Sequence, residues 1–122
     1  MKSITPVDLE TRTTDFALRV IKLYSALPKT TEAQVLGKQL LRSGTSVGAH
    51  YREAKRAKSA LDFISKIEGA LQELDETCYW LELIERSGLM SARRLISLQT
   101  EAVELTKILV TVAKRAKEKT KK

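Results

Sequence analysis

No proline interrupts the chain after Pro28, and the only other one is Pro6. The long remainder therefore holds no obligatory helix break. Apolar residues recur through it at three- and four-residue steps, the period of an amphipathic helix. Five glycines in 122 residues are too few to turn an all-β chain every ten residues or so. The pattern resolves into four helices at about 8–26, 31–57, 60–87 and 92–118, with a basic tail at 117–122. Pro28 ends the first. Thr30 or Thr31 caps the second, Ser59 the third and Ser91 the fourth. Gly88 stops the third as the residue just past its end.

The connections are short, so neighbours in sequence run antiparallel. The expected fold is all-α: a single domain over 1–122, folded as an antiparallel up-down-up-down four-helix bundle. Its core is read from one side of each helix. Leu9, Phe16, Val20, Leu23, Tyr24 and Leu27 come from the first, and Ala33, Leu36, Leu40, Gly44, Val47, Tyr51 and Ala54 from the second. Phe63, Ile64, Ile67, Ala70, Leu71, Leu74, Cys78, Leu81 and Ile84 come from the third. Leu95, Leu98, Ala102, Leu105, Leu109, Val112, Ala113 and Ala116 come from the fourth.

Charge is distributed unevenly along this frame. The chain carries +7 overall with a pI near 9.7, which favours an anionic partner. Residues 29–58 hold seven cations and two carboxylates, a balance of +5. Residues 59–88 hold two cations and seven carboxylates, −5, and residues 89–122 hold nine and three, +6. In an alternating bundle the C-termini of helices 2 and 4 meet at one pole. That pole gathers Arg52, Lys55, Arg56 and Lys58 with Lys114, Arg115, Lys117, Lys119, Lys121 and Lys122, and Lys2 lies there too. Helix dipoles favour some of these cations, but ten exceed what capping needs. A clustered basic patch is the electrostatic footprint of phosphate binding. The expected nucleic-acid-binding set is Arg52, Lys55, Arg56, Lys58, Lys114, Arg115, Lys117 and Lys119. Arg52 and Arg56 are expected to be free, because they face the uncharged-to-basic start of helix 3. Arg42 falls level with Asp75, beside Glu73 and Glu76, and is expected to pair with them.

A second surface is read from apolar residues outside the core arcs. Leu61, Tyr79, Trp80 and Leu83 lie off the arc of helix 3, and Ile96, Val103, Ile108 and Val110 widen that of helix 4. Aromatic residues are typical interface anchors, so a homo-oligomer is expected. Gly48 falls level with Gly69. A mid-helix glycine costs about 1 kcal/mol against alanine, so a close packing partner is expected, either the facing helix or another subunit. The interface set is Gly48, Tyr79, Trp80 and Leu83.

No catalytic, metal or cofactor constellation emerges. His50, the only histidine, and Cys78 fall about 16 Å apart along the bundle axis. The Glu-x-x-His spacing of di-iron bundles is absent, as is a phosphate loop with its lysine. One cysteine makes no intramolecular disulfide. The start lacks the apolar run of a signal peptide, and no apolar stretch approaches a membrane span. A cytoplasmic, non-enzymatic protein is expected, with no cofactor.

Two stretches carry a family resemblance. Leu41-Arg42-Ser43-Gly44-Thr45-Ser46-Val47-Gly48-Ala49-His50-Tyr51-Arg52-Glu53-Ala54 resembles the helix-2 signature of four-helix bundle proteins of the 23S rRNA intervening-sequence type. Asp62-Phe63-Ile64-Ser65-Lys66-Ile67, Ala70-Leu71-Gln72-Glu73-Leu74-Asp75-Glu76-Thr77 and Tyr79-Trp80-Leu81 resemble its helix-3 signature. His50 stands where that signature has asparagine. The resemblance implies an antiparallel four-helix bundle and ring-like homopentamers, and no catalytic residue. Some such proteins are encoded within large-subunit rRNA genes. A similar bundle is an accessory factor of diversity-generating retroelements, engaging nucleic acid and a reverse transcriptase, which implies those partner classes here. Beside nucleic-acid binding stands a second reading, a protein-interaction scaffold whose charged faces mediate assembly.

Overall fold

The computed structural model describes residues 6–121, with side chains from Leu9 onward. Lys2 and Lys122, counted above in the basic pole, lie outside the described residues. Four helices follow in order: α1 (Pro6–Ala26), α2 (Thr31–Lys55), α3 (Ala60–Arg86) and α4 (Ala92–Thr120). Thr30 and Ser59 cap α2 and α3, their side chains accepting hydrogen bonds from the Ala33 and Asp62 N–H groups. Ser91 makes no such bond at α4. At the end of α3, Gly88 takes φ +79°. The Gly88 N–H donates to Glu85 O, and the Leu89 N–H donates to Ile84 O. This double closure is the Schellman arrangement, and glycine enters its left-handed position without a Cβ penalty. α4 continues through Thr120, past the start of the expected basic tail at 117. Lys117 is anchored there by Glu68 of α3 at 2.6 Å.

Consecutive helices pack side by side, and α1 closes on α4 with the lightest contact. The cross-helix pairs fix every direction. Glu10 meets Lys55, Arg42 meets Glu73, and Gln99 meets Glu85. Arg12 forks onto Glu101 at 2.7 and 3.0 Å. Glu10 and Gln99 stand early in their helices and Lys55 and Glu85 late, and Lys66 early in α3 pairs with Glu53 late in α2, so consecutive helices run antiparallel, up-down-up-down. The core runs its full length through Phe16, Val20, Leu40, Val47, Ile67, Leu74, Leu81, Leu95, Leu105 and Leu109, all fully buried. Inside it the Thr77 hydroxyl lies 2.8 Å from the Glu73 carbonyl and 2.9 Å from the Ser43 hydroxyl, which leaves neither side chain unsatisfied.

α1 sits close on α2 because α2 offers it glycines. A Cβ on Gly44 would lie 2.7 Å from Val20 Cγ2, one on Gly37 2.8 Å from Leu27 and Tyr24, and one on Gly48 3.1 Å from Thr13 Oγ1. The close neighbour of Gly48 is therefore α1 of the same chain, which corrects its expected place at an intersubunit contact. Gly48 lies outside the core set read for the second helix, and the register of α1 covers it. Gly69 is crowded instead by the His50 ring, 3.1 Å from where its Cβ would stand.

Val20 is fully buried and branched, so it has no free end to move aside. Gly44→Ala gains about 1 kcal/mol of helix propensity against an overpacking cost of about 1–3 kcal/mol. We expect Gly44→Ala to be net destabilising by about 1 kcal/mol, read as a lowered urea midpoint. Gly88→Ala, with open space but a positive φ, should lose a similar amount from strain alone.

Candidate nucleic-acid interface

The alternation of direction brings the C-termini of α2 and α4 to one end, with the start of α3 between them. All eight expected binding cations lie at that end, and all are exposed. They divide into two groups. Arg52 lies 3.5 Å from Glu10 of α1 and donates to Thr14 Oγ1 at 3.1 Å. Lys55 pairs with the same Glu10 carboxylate, and Lys117 pairs with Glu68. The expectation that Arg52 is free is therefore corrected. It was judged against α3, but its neighbour is α1. Arg56 adds its field to the same carboxylate. Lys58, Lys114, Arg115 and Lys119 make no ion pair among the described residues.

Glu10 organises the α1 side of this pole. The Lys55 hydrogen bond and charge hold its carboxyl below the usual range, with Arg52 and Arg56 adding to the effect. Its own groove is shallow and open, lined by Glu10, Thr11, Thr14, Asp15 and Arg52. Two carboxylates there make it a poor phosphate seat. The unpaired cations on α4 and the α2–α3 turn are better placed for a polyanion.

Along the α2–α3 seam the charges satisfy one another. Arg42 spans Glu73 at 3.2 Å and Glu76 at 2.5 Å, the pairing its level with Asp75 suggested. Exposed pairs of this kind contribute only about 0–1 kcal/mol each. His50 lies 3.8 Å from Glu73 and 4.0 Å from Glu53, and Glu53 also pairs with Lys66. Cys78 is half-buried at the core edge. Burial and Asp75 push its thiol up, away from the reactive thiolate. Among the described residues, no three His, Cys, Asp or Glu side chains gather as a metal site requires, and no helix is long and apolar enough to cross a membrane.

The expected interface residues also separate. Tyr79 is 52% exposed, while Trp80 and Leu83 are half-buried. The Tyr79 and Trp80 rings meet at 5.2 Å and 53°. The Trp80 Nε1 is buried, with no hydrogen-bond partner among the described residues. Sequence reasoning passed over Glu10 and Glu68. The signal available was their height: Glu10 stands level with the end of α2, and Glu68 with the end of α4.

Residues 7–111 match the family model of the 23S rRNA-intervening sequence protein. The chain belongs to that family. A crystal structure from Bacteroides thetaiotaomicron, of a protein of unknown function in the S23 ribosomal protein family, is similar to it. The two share 38% identity and a TM-score of 0.85, over 91% of this chain and 99% of the other. No curated protein matches. The family match stops at residue 111, so Lys114, Arg115, Lys117 and Lys119 lie beyond the stretch this chain shares with the family model.

A carboxyl held low in the folded state contributes stability above its ordinary pKa, and that contribution is lost as pH falls through the folded value. Wild type should therefore lose stability below about pH 4.3, the ordinary glutamate value, in part through Glu10. Glu10→Gln should be less stable at neutral pH and show a shallower acid loss, measured as urea midpoints across that range. Equal acid loss in both proteins would remove Glu10 from this role.

Proposed function

We propose that this chain is a non-enzymatic, homo-oligomeric helical bundle that binds nucleic acid, RNA in the first place, on the phosphate backbone through its α2/α4 pole. The observation that carries the reading is the exposed set Lys58, Lys114, Arg115 and Lys119, cations at one pole that make no ion pair among the described residues. Arg56 stands with them. Arg52, Lys55 and Lys117 take a supporting part, since Glu10 and Glu68 already hold them. Few aromatic side chains stand among these cations, so base stacking contributes little and sequence preference is weak. Membership of a family named for a 23S rRNA intervening sequence supports RNA as the first polyanion to test. A cytoplasmic setting fits this reading. Repetition of the pole in an oligomer multiplies weak contacts by avidity. A reverse transcriptase as protein partner rests on the family resemblance alone.

A second reading, a scaffold that matches subunits or partners, is favoured by a different observation. Ile96, Val103 and Val110 leave large apolar side chains on the surface of α4. Mass in solution with and without about 1 M salt, where the screening length is near 3 Å, tests it: assembly through charged faces weakens, whereas an apolar interface persists.

Affinity for a single-stranded RNA should fall linearly with log salt, and the quadruple Lys58→Ala, Lys114→Ala, Arg115→Ala, Lys119→Ala variant should flatten that slope by roughly three per chain. Binding indifferent to salt, or an unchanged slope in the variant, would contradict phosphate docking at this pole.

A further inference from the structure

Glu10 collects more positive charge than one carboxylate neutralises. Lys55 donates to its Oε1, Arg52 lies 3.5 Å from its Oε2, and Arg56 adds its field. Arg52 stands three and four residues before Lys55 and Arg56, so the three share one face at the end of α2. Lys58 follows two residues on. This face therefore adjoins the cations of the pole that make no ion pair among the described residues.

Beside it lies the groove lined by Glu10, Thr11, Thr14, Asp15 and Arg52. Threonine hydroxyls and a guanidinium are groups that hold phosphate oxygens. Here they hold one another, with Arg52 donating to Thr14 Oγ1 at 3.1 Å. The groove is open, so charge rather than shape bars a phosphate. Arg52, Lys55 and Arg56 face Glu10 and Asp15, a local balance of 3 − 2 = +1, and Glu10 already engages two of the three cations.

These pairs stand partly in water, where ion pairs are weak and screened by salt. A phosphate that draws Lys55 away releases a counterion from the RNA, but it strands a carboxylate that takes a cation up from solution. Net counterion release is then small, so Arg52 and Lys55 add little to affinity while Glu10 is charged.

We propose that Glu10 is an internal competitor for the polyanion, a carboxylate that occupies Arg52 and Lys55 in place of phosphate and confines the docking footprint to the α4 side of the pole. The proposal rests on the phosphate-docking reading above and names the residue that sets the width of that surface. Glu10 then has two opposed effects: it fastens α1 to α2, and it holds down affinity for polyanion.

Binding of a fluorescent oligouridylate across a salt series tests this, with helical circular dichroism and the urea midpoint as controls for folding. Glu10→Gln should bind more tightly at low salt, with a slope steeper by about 1.4 per chain, two added contacts at about 0.7 each. It should do so although the same substitution lowers the urea midpoint, whereas loss of a merely structural carboxylate would not tighten binding. Arg52→Gln with Lys55→Gln, added to Glu10→Gln, should return the slope to that of wild type. Glu82→Gln removes an equal charge from the Arg86 pair at the other end of α3 and should leave the slope unchanged. In wild type itself, RNA should protect Lys58 from acetylation more strongly than Lys55. Unchanged or weaker binding by Glu10→Gln, an equal gain in Glu82→Gln, or equal protection of Lys55 and Lys58 in wild type overturns the competitor role and leaves the pole standing. A wild type that binds no RNA at low salt overturns both this role and the phosphate-docking reading.

Discussion

Short connections govern this molecule. Four residues separate α1 from α2 and α2 from α3, and five separate α3 from α4. Links of that length let a helix return only beside its predecessor, so direction alternates and α2 and α4 become parallel. Two consequences follow from that geometry. The apolar stripes of four helices close on one core, and the basic ends of α2 and α4 arrive at a single pole. The second consequence is unfavourable to folding taken alone, because like charges are brought together. The C-terminal dipoles of both helices offset part of it, and the carboxylates of Glu10 and Glu68 offset more.

Those two carboxylates give the pole its division of labour. Glu10 draws Arg52 and Lys55 inward against α1, and Glu68 draws Lys117 against α3. What they hold contributes to the bundle's closure. What they leave, on α4 and on the turn after α2, is exposed and makes no ion pair among the described residues. A rigid frame with unpaired cations at one end presents a fixed positive surface. Such a surface attracts an extended polyanion over distances of about one screening length, near 8 Å at physiological salt.

The architecture was legible in the sequence because its determinants are local. Periodicity marked the four helices, and cap residues marked their starts. Gly88 marked the end of α3 through a backbone conformation that glycine favours. Helix ends moved by only a few residues: α2 stops at Lys55, short of 57, and α4 runs on to Thr120, past 118. The site was less legible because it depends on register between helices distant in sequence. The α2–α3 register could be estimated from their turn, and it located the partners of Arg42. The register of α1 on α2 carries no such local mark. Glu10 therefore went unpaired with Arg52 and Lys55, and Gly48 was offered to another subunit when Thr13 already covered it.

The most direct test of the polyanion pole is residue-resolved lysine labelling, with an amine-reactive acetylating reagent applied with and without bound RNA and read by mass spectrometry. The account predicts protection of Lys58, Lys114 and Lys119, with Lys29 and Lys38 at the far end and middle of the bundle labelled equally in both states. Uniform protection along the bundle, or protection at Lys29 and Lys38 with the pole unchanged, would contradict it.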